Sequence, residues 1–175
     1  MAEPFILWSF DMGVRMGVAM GDARSTAPPV STAIALKKPY GASLMRFLSK
    51  EFRRERPTLV FKEAPIVAMP NRSGHVIRLT HKLHGVLESM CEWYGIPYEE
   101  KTPQTIRKHF IDASNLKGRE ATNRAVLSRC QLLGYLPRDN KDWDRANALA
   151  GWHYAKTHYA RVPPELLHLF GEQQS

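Results

Sequence analysis

A chain of 175 residues is long enough to bury a core without disulfide or metal staples, and one domain accounts for it. Its net charge of +8 favours polyanionic partners, nucleic acid before an anionic membrane face. No apolar run reaches the roughly 18 residues of a membrane span, the opening MAEPFILWSF carries Glu3 and no basic leader, and Cys91 and Cys130 lie far apart in helical stretches. A cytoplasmic protein with two buried free thiols and no structural zinc is expected.

In chain order, the apolar and aromatic run Phe5 to Phe10 reads as a strand covered on both faces and ends at Asp11. A second apolar stretch, Gly17 to Met20, and a third, Val30 to Leu36, are separated by Gly21-Asp22 and a Ser/Thr/Pro-rich loop, which predicts a three-strand antiparallel meander. From Ser43 to Arg56 the spacing of Leu44, Phe47, Leu48 and Phe52 predicts an amphipathic helix closed by Pro57. Thr58 to Phe61 is a strand running into Lys62-Glu63, and Ala64-Pro65 stop it.

After a loop from Pro65 to Ser73, Val76, Leu79, Leu83, Val86, Leu87 and Met90 mark a long helix capped by Gly95. Ile96 to Glu100 reads as a fifth short strand, and Thr102-Pro103 supplies an N-cap and first-turn proline for a helix bearing Ile106 and Phe110. A further helix ends at Gly134, and a last one runs from about Asp142 to Arg161, where Pro163-Pro164 break it. The expectation is an α/β domain over 1–162 with a five-stranded mixed sheet flanked by helices, followed by a peripheral tail at 163–175.

Three acids stand at element ends: Asp11 after strand one, Glu63 after strand four, and Asp144 in the first turn of the final helix. Function gathers at the carboxyl ends of strands in open α/β sheets, and neighbouring central strands would bring Asp11 and Glu63 to one ion. Such a cluster suits phosphodiester hydrolysis, where hard oxygen ligands hold Mg²⁺ or Mn²⁺ and two ions stabilise the attacking water and the leaving oxygen. Each acid also has a structural reading. Asp11 can be a turn residue, Glu63 can pair with Lys62 or an arginine, and capping explains either Asp142 or Asp144 at a helix start.

Taken together, these residues resemble the RuvC-type Holliday junction resolvases of the ribonuclease H-like superfamily, particularly their bacteriophage and prophage branch. A strand running into Asp and Gly is matched by Ile6 to Gly13, a strand ending in Glu by Val60 to Glu63, and a helix with Asp, two spacers and a further ligand by Asp144-Arg145-Ala146-Asn147-Ala148-Leu149-Ala150. Gly95-Ile96-Pro97, Thr102-Pro103 and Lys117-Gly118-Arg119 resemble the middle of the family, so the likeness spans residues 5 to 160. Asn147 stands where the family usually has a fourth acid, and Met12 where many members have Pro.

The resemblance implies a homodimeric endonuclease of a bacterial cell or phage-infected host. It would cut branched DNA by two-metal hydrolysis, with Asp11, Glu63, Asp144 and Asn147 as ligands and Asp142 as a possible substitute. Asp144 and Asn147 share a helix face at i and i+3, and an asparagine still offers a carbonyl oxygen.

Small residues Ala146, Ala148, Ala150 and Gly151 would let the last helix press on the sheet. Basic residues Arg72, Arg78 and Lys82 after the Glu63 strand, and Lys117, Arg119 and Arg124 at a helix start, are the candidate DNA contacts. By the family analogy Lys117, Arg119 and Arg124 position the cleaved strand, with Arg119 or Arg124 aiding the transition state, while Met69 is a candidate junction wedge. His75, His81 and His84 read as surface or interface residues, and the helix from about His75 to Tyr94 as the dimer element. Competing readings are a less selective flap, fork or hybrid nuclease and a catalytically weakened nucleic-acid-binding protein; a membrane-surface role ranks last.

Overall fold

The computed structural model describes residues 3–65, 74–113 and 116–160. Five strands, β1 (Ile6–Asp11), β2 (Arg15–Asp22), β3 (Val30–Ala35), β4 (Leu59–Glu63) and β5 (Tyr98–Lys101), form one sheet in the order β3-β2-β1-β4-β5. β1 pairs antiparallel with β2, and β2 with β3, whereas β1–β4 and β4–β5 are parallel. The expected meander plus two parallel strands is therefore the observed sheet. Five helices flank it: α1 (Tyr40–Arg54), α2 (Gly74–Tyr94), α3 (Pro103–Ile111), α4 (Arg119–Leu132) and α5 (Trp143–Tyr159).

Side-chain alternation along β1 and β4 divides the core in two. Leu7, Leu59 and Phe61 pack with Ile106, Phe110, Val126 and Trp152 of α3, α4 and α5. Trp8, Phe10 and Val60 face the other way, onto Leu44, Leu48 and Phe52 of α1 and Leu83, Leu87 and Cys91 of α2. Both cysteines are buried and unpaired. Among the described residues no helix is long and apolar enough to cross a membrane.

Local signals set the ends. Gly95 takes φ +61° and lets the Ile96 amide bond back to Cys91 O at 2.8 Å. Thr102 caps α3, accepting from the Thr105 amide at 3.3 Å, with Pro103 in the first turn. α1 begins one turn earlier than the apolar spacing predicts, because the Ser43 amide already bonds Pro39 O at 3.0 Å. α5 starts at Trp143, with Asp142 as its cap, and ends at Tyr159.

Two readings of α2 are corrected. Its buried face is Leu83, His84, Leu87, Met90 and Cys91, so His84 is a core residue, not a surface one, and Val76 stays 43 % exposed. The helix packs over β4, where Glu88 of α2 meets the buried Lys62. The tail at 163–175 and the loop with Met69 and Arg72 lie outside the described residues.

Candidate active site

The parallel β1–β4 register pairs Phe10 with Lys62, so the next residues along, Asp11 and Glu63, end adjacent strands side by side. Alternation sends both toward the face covered by α3, α4 and α5, the same face as Leu7 and Phe61. Lys62 emerges on the opposite face. There it is fully buried, with Nζ 2.9 Å from Glu88 Oε1 and in contact with Glu100, so it does not neutralise Glu63.

The start of α5 is brought to these strand ends by small residues. Gly17 pairs with Asp11 across β2, and a Cβ there would collide with the Asp144 carbonyl oxygen. Further along, a Cβ on Gly151 would sit 2.5 Å from Ser9 Oγ. Ala146, Ala148 and Ala150 are all buried in the same contact. The predicted close approach of this helix is observed, and Gly17 is its partner on the sheet.

Burial pushes the Asp11 carboxyl up to about 6, and the nearby Asp144 adds to the rise; an Asn147 Nδ2 hydrogen bond of 3.1 Å to Asp11 Oδ2, Arg107 and Arg119 pull the other way. Glu63 is pushed further, to about 8, by burial and by Asp11, with Arg107 opposing. Two like charges thus share a space with too little positive charge to hold both ionised. Hard oxygen donors whose ionised forms are held back by burial and by each other suit a divalent cation, which would reverse the imbalance.

Asp144 and Asp142 are engaged differently. Asp142 accepts from the Asp144 and Arg145 amides at 3.1 and 3.2 Å as the helix cap, and Arg15 Nη2 lies 2.5 Å from its Oδ2. The same guanidinium contacts Asp144 through Nη1. Among the described residues no three His, Cys, Asp or Glu side chains converge as a metal-holding group. Asp11 and Glu63 therefore fit a cation as a pair, and Asp144 joins them only by exchanging Arg15. Asn147 turns its amide nitrogen, not its oxygen, to Asp11.

The carboxylates open into a cavity of about 770 Å³ whose walls include Arg15, Arg107, Arg119, Asn123, Asp144 and Asn147. Of the predicted DNA contacts, Arg119 lines it. Arg124 instead pairs with Glu120 at 2.6 Å on the exposed face of α4, Lys117 and Arg78 are exposed, and Arg72 lies outside the described residues. Lys82 borders a different groove, of about 1140 Å³ between α1 and α2, with Met45, Val86, Met90 and Trp93.

Arg15, Arg107 and Asn123 were missed by the sequence reading. Only Arg107 carried a usable signal, since it lies one turn beyond Pro103 and both line the cavity.

No protein-family model and no curated protein sequence matches the chain. Solved structures do. RuvC of T. thermophilus, in complex with a Holliday junction substrate, superposes with a TM-score of 0.66 at 16 % identity, over 87 % of this chain and 96 % of that one. The fowlpox virus Holliday junction resolvase gives 0.60 at 13 % identity, covering 87 % and 98 %. The yeast mitochondrial resolvase Ydc2 gives 0.55 at 10 % identity, covering 93 % and 83 %. With the sheet order and flanking helices above, the chain has the ribonuclease H-like fold shared by RuvC and the related Holliday junction resolvases.

Proposed function

We propose that the chain is a divalent-cation-dependent endonuclease that cuts branched DNA, four-way junctions foremost. The observation that carries this is the pair Asp11 and Glu63, half-buried and undercompensated at adjacent strand ends, facing Arg107 and Arg119 across one cavity. The likeness to resolvases, one of them solved with a Holliday junction, supports the substrate class.

Asp11 and Glu63 would hold Mg²⁺ or Mn²⁺, with Asp144 and Asn147 completing a site for two ions; bound there, the ions supply a nucleophile at neutral pH and neutralise charge on the phosphate. Asn147 orients Asp11 through its amide. Arg107 and Arg119 draw the phosphodiester toward the acids, and the walls of α3, α4 and α5 limit water around it. The net charge of +8 supplies the long-range attraction. A C2 dimer would offer two such sites to the two strands of a junction, and the apolar α1–α2 groove, with Trp93 83 % exposed, is the face suited to it.

A second reading, a weakened nucleic-acid-binding protein, is favoured by one observation: Arg15 occupies Asp144 while Asn147 lacks a charge. A cleavage panel of four-way junctions, flaps and linear duplexes in Mg²⁺ or Mn²⁺ separates the two. Junction cutting that is lost in Asp11→Asn and Glu63→Gln, with DNA binding retained, is the expected result. Binding without cutting under every condition overturns the enzyme.

A further inference from the structure

Eight large apolar side chains stay exposed among the described residues, and they are not scattered. Four of them, Val14, Val76, Leu116 and Trp143, line the cavity that holds Asp11 and Glu63. None of the four belongs to either half of the core. Apolar walls offer nothing to a cation or a phosphate, which lose hydration against them. Exposed apolar surface gathered in one place marks something that is bound there.

Trp143 is the largest of the four. It is the first residue of α5, adjacent to Asp144, and remains 41 % exposed. Its ring meets no other aromatic ring among the described residues. The backbone beneath it is fixed on both sides. Asp142 caps the helix by accepting from the Asp144 and Arg145 amides, and Arg15 bridges the carboxylates of Asp142 and Asp144. An indole on such a rigid base is a flat stacking surface that loses little freedom when something binds to it.

The rest of the cavity selects what stacks there. Arg15, Arg107 and Arg119 line it and favour an anion, whereas the apolar residues favour a flat, weakly hydrated group. A nucleotide carries both, a phosphate and a planar base. In a duplex the base faces are covered by their neighbours and only the edges reach the grooves. An indole in a recess therefore finds a face only where a base has left the stack. The cavity, about 770 Å³, falls within the roughly 300–1,000 Å³ of pockets that enclose a small molecule.

We propose that Trp143, with Val14, Val76 and Leu116 of the same cavity, forms a subsite for an unpaired nucleobase next to the phosphodiester that Asp11 and Glu63 address. The base stacks on the indole while its phosphate turns toward the arginines. The chain thereby selects strands that are unpaired at the cut over continuous duplex. That the strand is DNA and is cut rests on the nuclease reading; that the cavity takes an unpaired base does not.

The experiment uses the full chain at neutral pH in EDTA, so that binding is read without cation-dependent cutting. The probes are a short oligothymidylate, an abasic strand with the same number of phosphates, and a linear duplex of that length. Wild type binds oligothymidylate about 10-fold more tightly than the abasic strand, the size of one stacked base, and its tryptophan fluorescence is quenched; duplex gives no quench. Trp8 and Trp152 are fully buried, which leaves Trp143 and Trp93 as the exposed reporters. Trp143→Ala binds the two strands alike and loses the quench, Trp143→Phe keeps most of the preference, and both unfold within a degree or two of wild type, as expected for an exposed side chain. Trp93→Ala, on the α1–α2 groove, keeps preference and quench. Equal affinity for base-bearing and abasic strands in the wild type, or a preference that survives in Trp143→Ala or is lost in Trp93→Ala, overturns the subsite without touching the nuclease reading. A preference that depends on Trp143, in a protein that cuts no branched DNA with Mg²⁺ or Mn²⁺, upholds the subsite and sinks the nuclease instead.

Discussion

Lys62 and Glu63 are neighbours in sequence and opposites in environment. Lys62 is fully buried on the α2 face, where Glu88 and Glu100 compensate it. Glu63 emerges on the other face beside a second carboxyl, and among the described residues only Arg107 opposes its rise to about 8. Burying a charge is tolerable when partners stand in for water, as they do for Lys62. The strand end beyond it lacks that compensation, and imbalance of this kind concentrates where a protein binds something. The contrast separates a charge that serves the fold from one that awaits a ligand.

The largest expected effect comes from breaking the satisfied half. Glu88→Gln with Glu100→Gln leaves Lys62 buried without a counter-charge and should cost about 3–5 kcal/mol in denaturant unfolding. A loss under about 1 kcal/mol would mean that Lys62 finds water and that the two faces do not differ as described.

Next is the hinge between the acids. Gly17→Ala drives a Cβ into the Asp144 carbonyl oxygen, so α5 must lift at its start. Overpacking of this kind costs about 1–3 kcal/mol, and junction cleavage should fall further than that loss of stability explains. Full activity in a folded Gly17→Ala protein would detach Asp144 from the site.

The unsatisfied half can be read by pH. Asp11 and Glu63 carry folded values above their ordinary ones, near 6 and 8, so as pH rises the unfolded chain loses these protons first. The stability they contribute is complete below about pH 4 and is lost as pH climbs through 6 and 8. In the absence of divalent ions Tm should therefore fall by several degrees from pH 4 to 8, with a flatter profile in Glu63→Gln. A parallel profile in that variant would contradict the burial of Glu63.

The smallest effect is the sharpest. Asn147→Asp places a third charge against Asp11 and should lower, severalfold, the Mg²⁺ concentration for half-maximal cleavage. If Asn147→Ala cleaves like the parent at every concentration, the residue neither ligates nor orients.

Much of this was legible in the residues. Apolar runs that stop at Asp11 and Glu63 identify strands and their functional ends, because a strand covered on both faces tolerates an acid only where it leaves the core. The caps at Thr102 and Gly95 act locally and were read correctly. Contacts made across the fold were not legible. Arg15 meets Asp142 and Asp144 from 127 and 129 residues away, and no spacing rule announces it. Gly17 looked like one more strand glycine until α5 lay on it. His84 stands on the face of α2 that α1 and the sheet cover, and the helix's own spacing does not say how wide that face is. Lys82 belonged to a basic cluster in sequence but borders the α1–α2 groove in space.

The most direct test is a calorimetric titration of the DNA-free protein with Mn²⁺ at pH 6, 7 and 8. Glu63 holds its proton through most of this range, so binding should release about one proton per ion and tighten as pH rises, and Glu63→Gln should lose both. Absence of Mn²⁺ binding at pH 8, or binding that neither releases a proton nor depends on Glu63, would contradict the cation site on which the proposed nuclease stands.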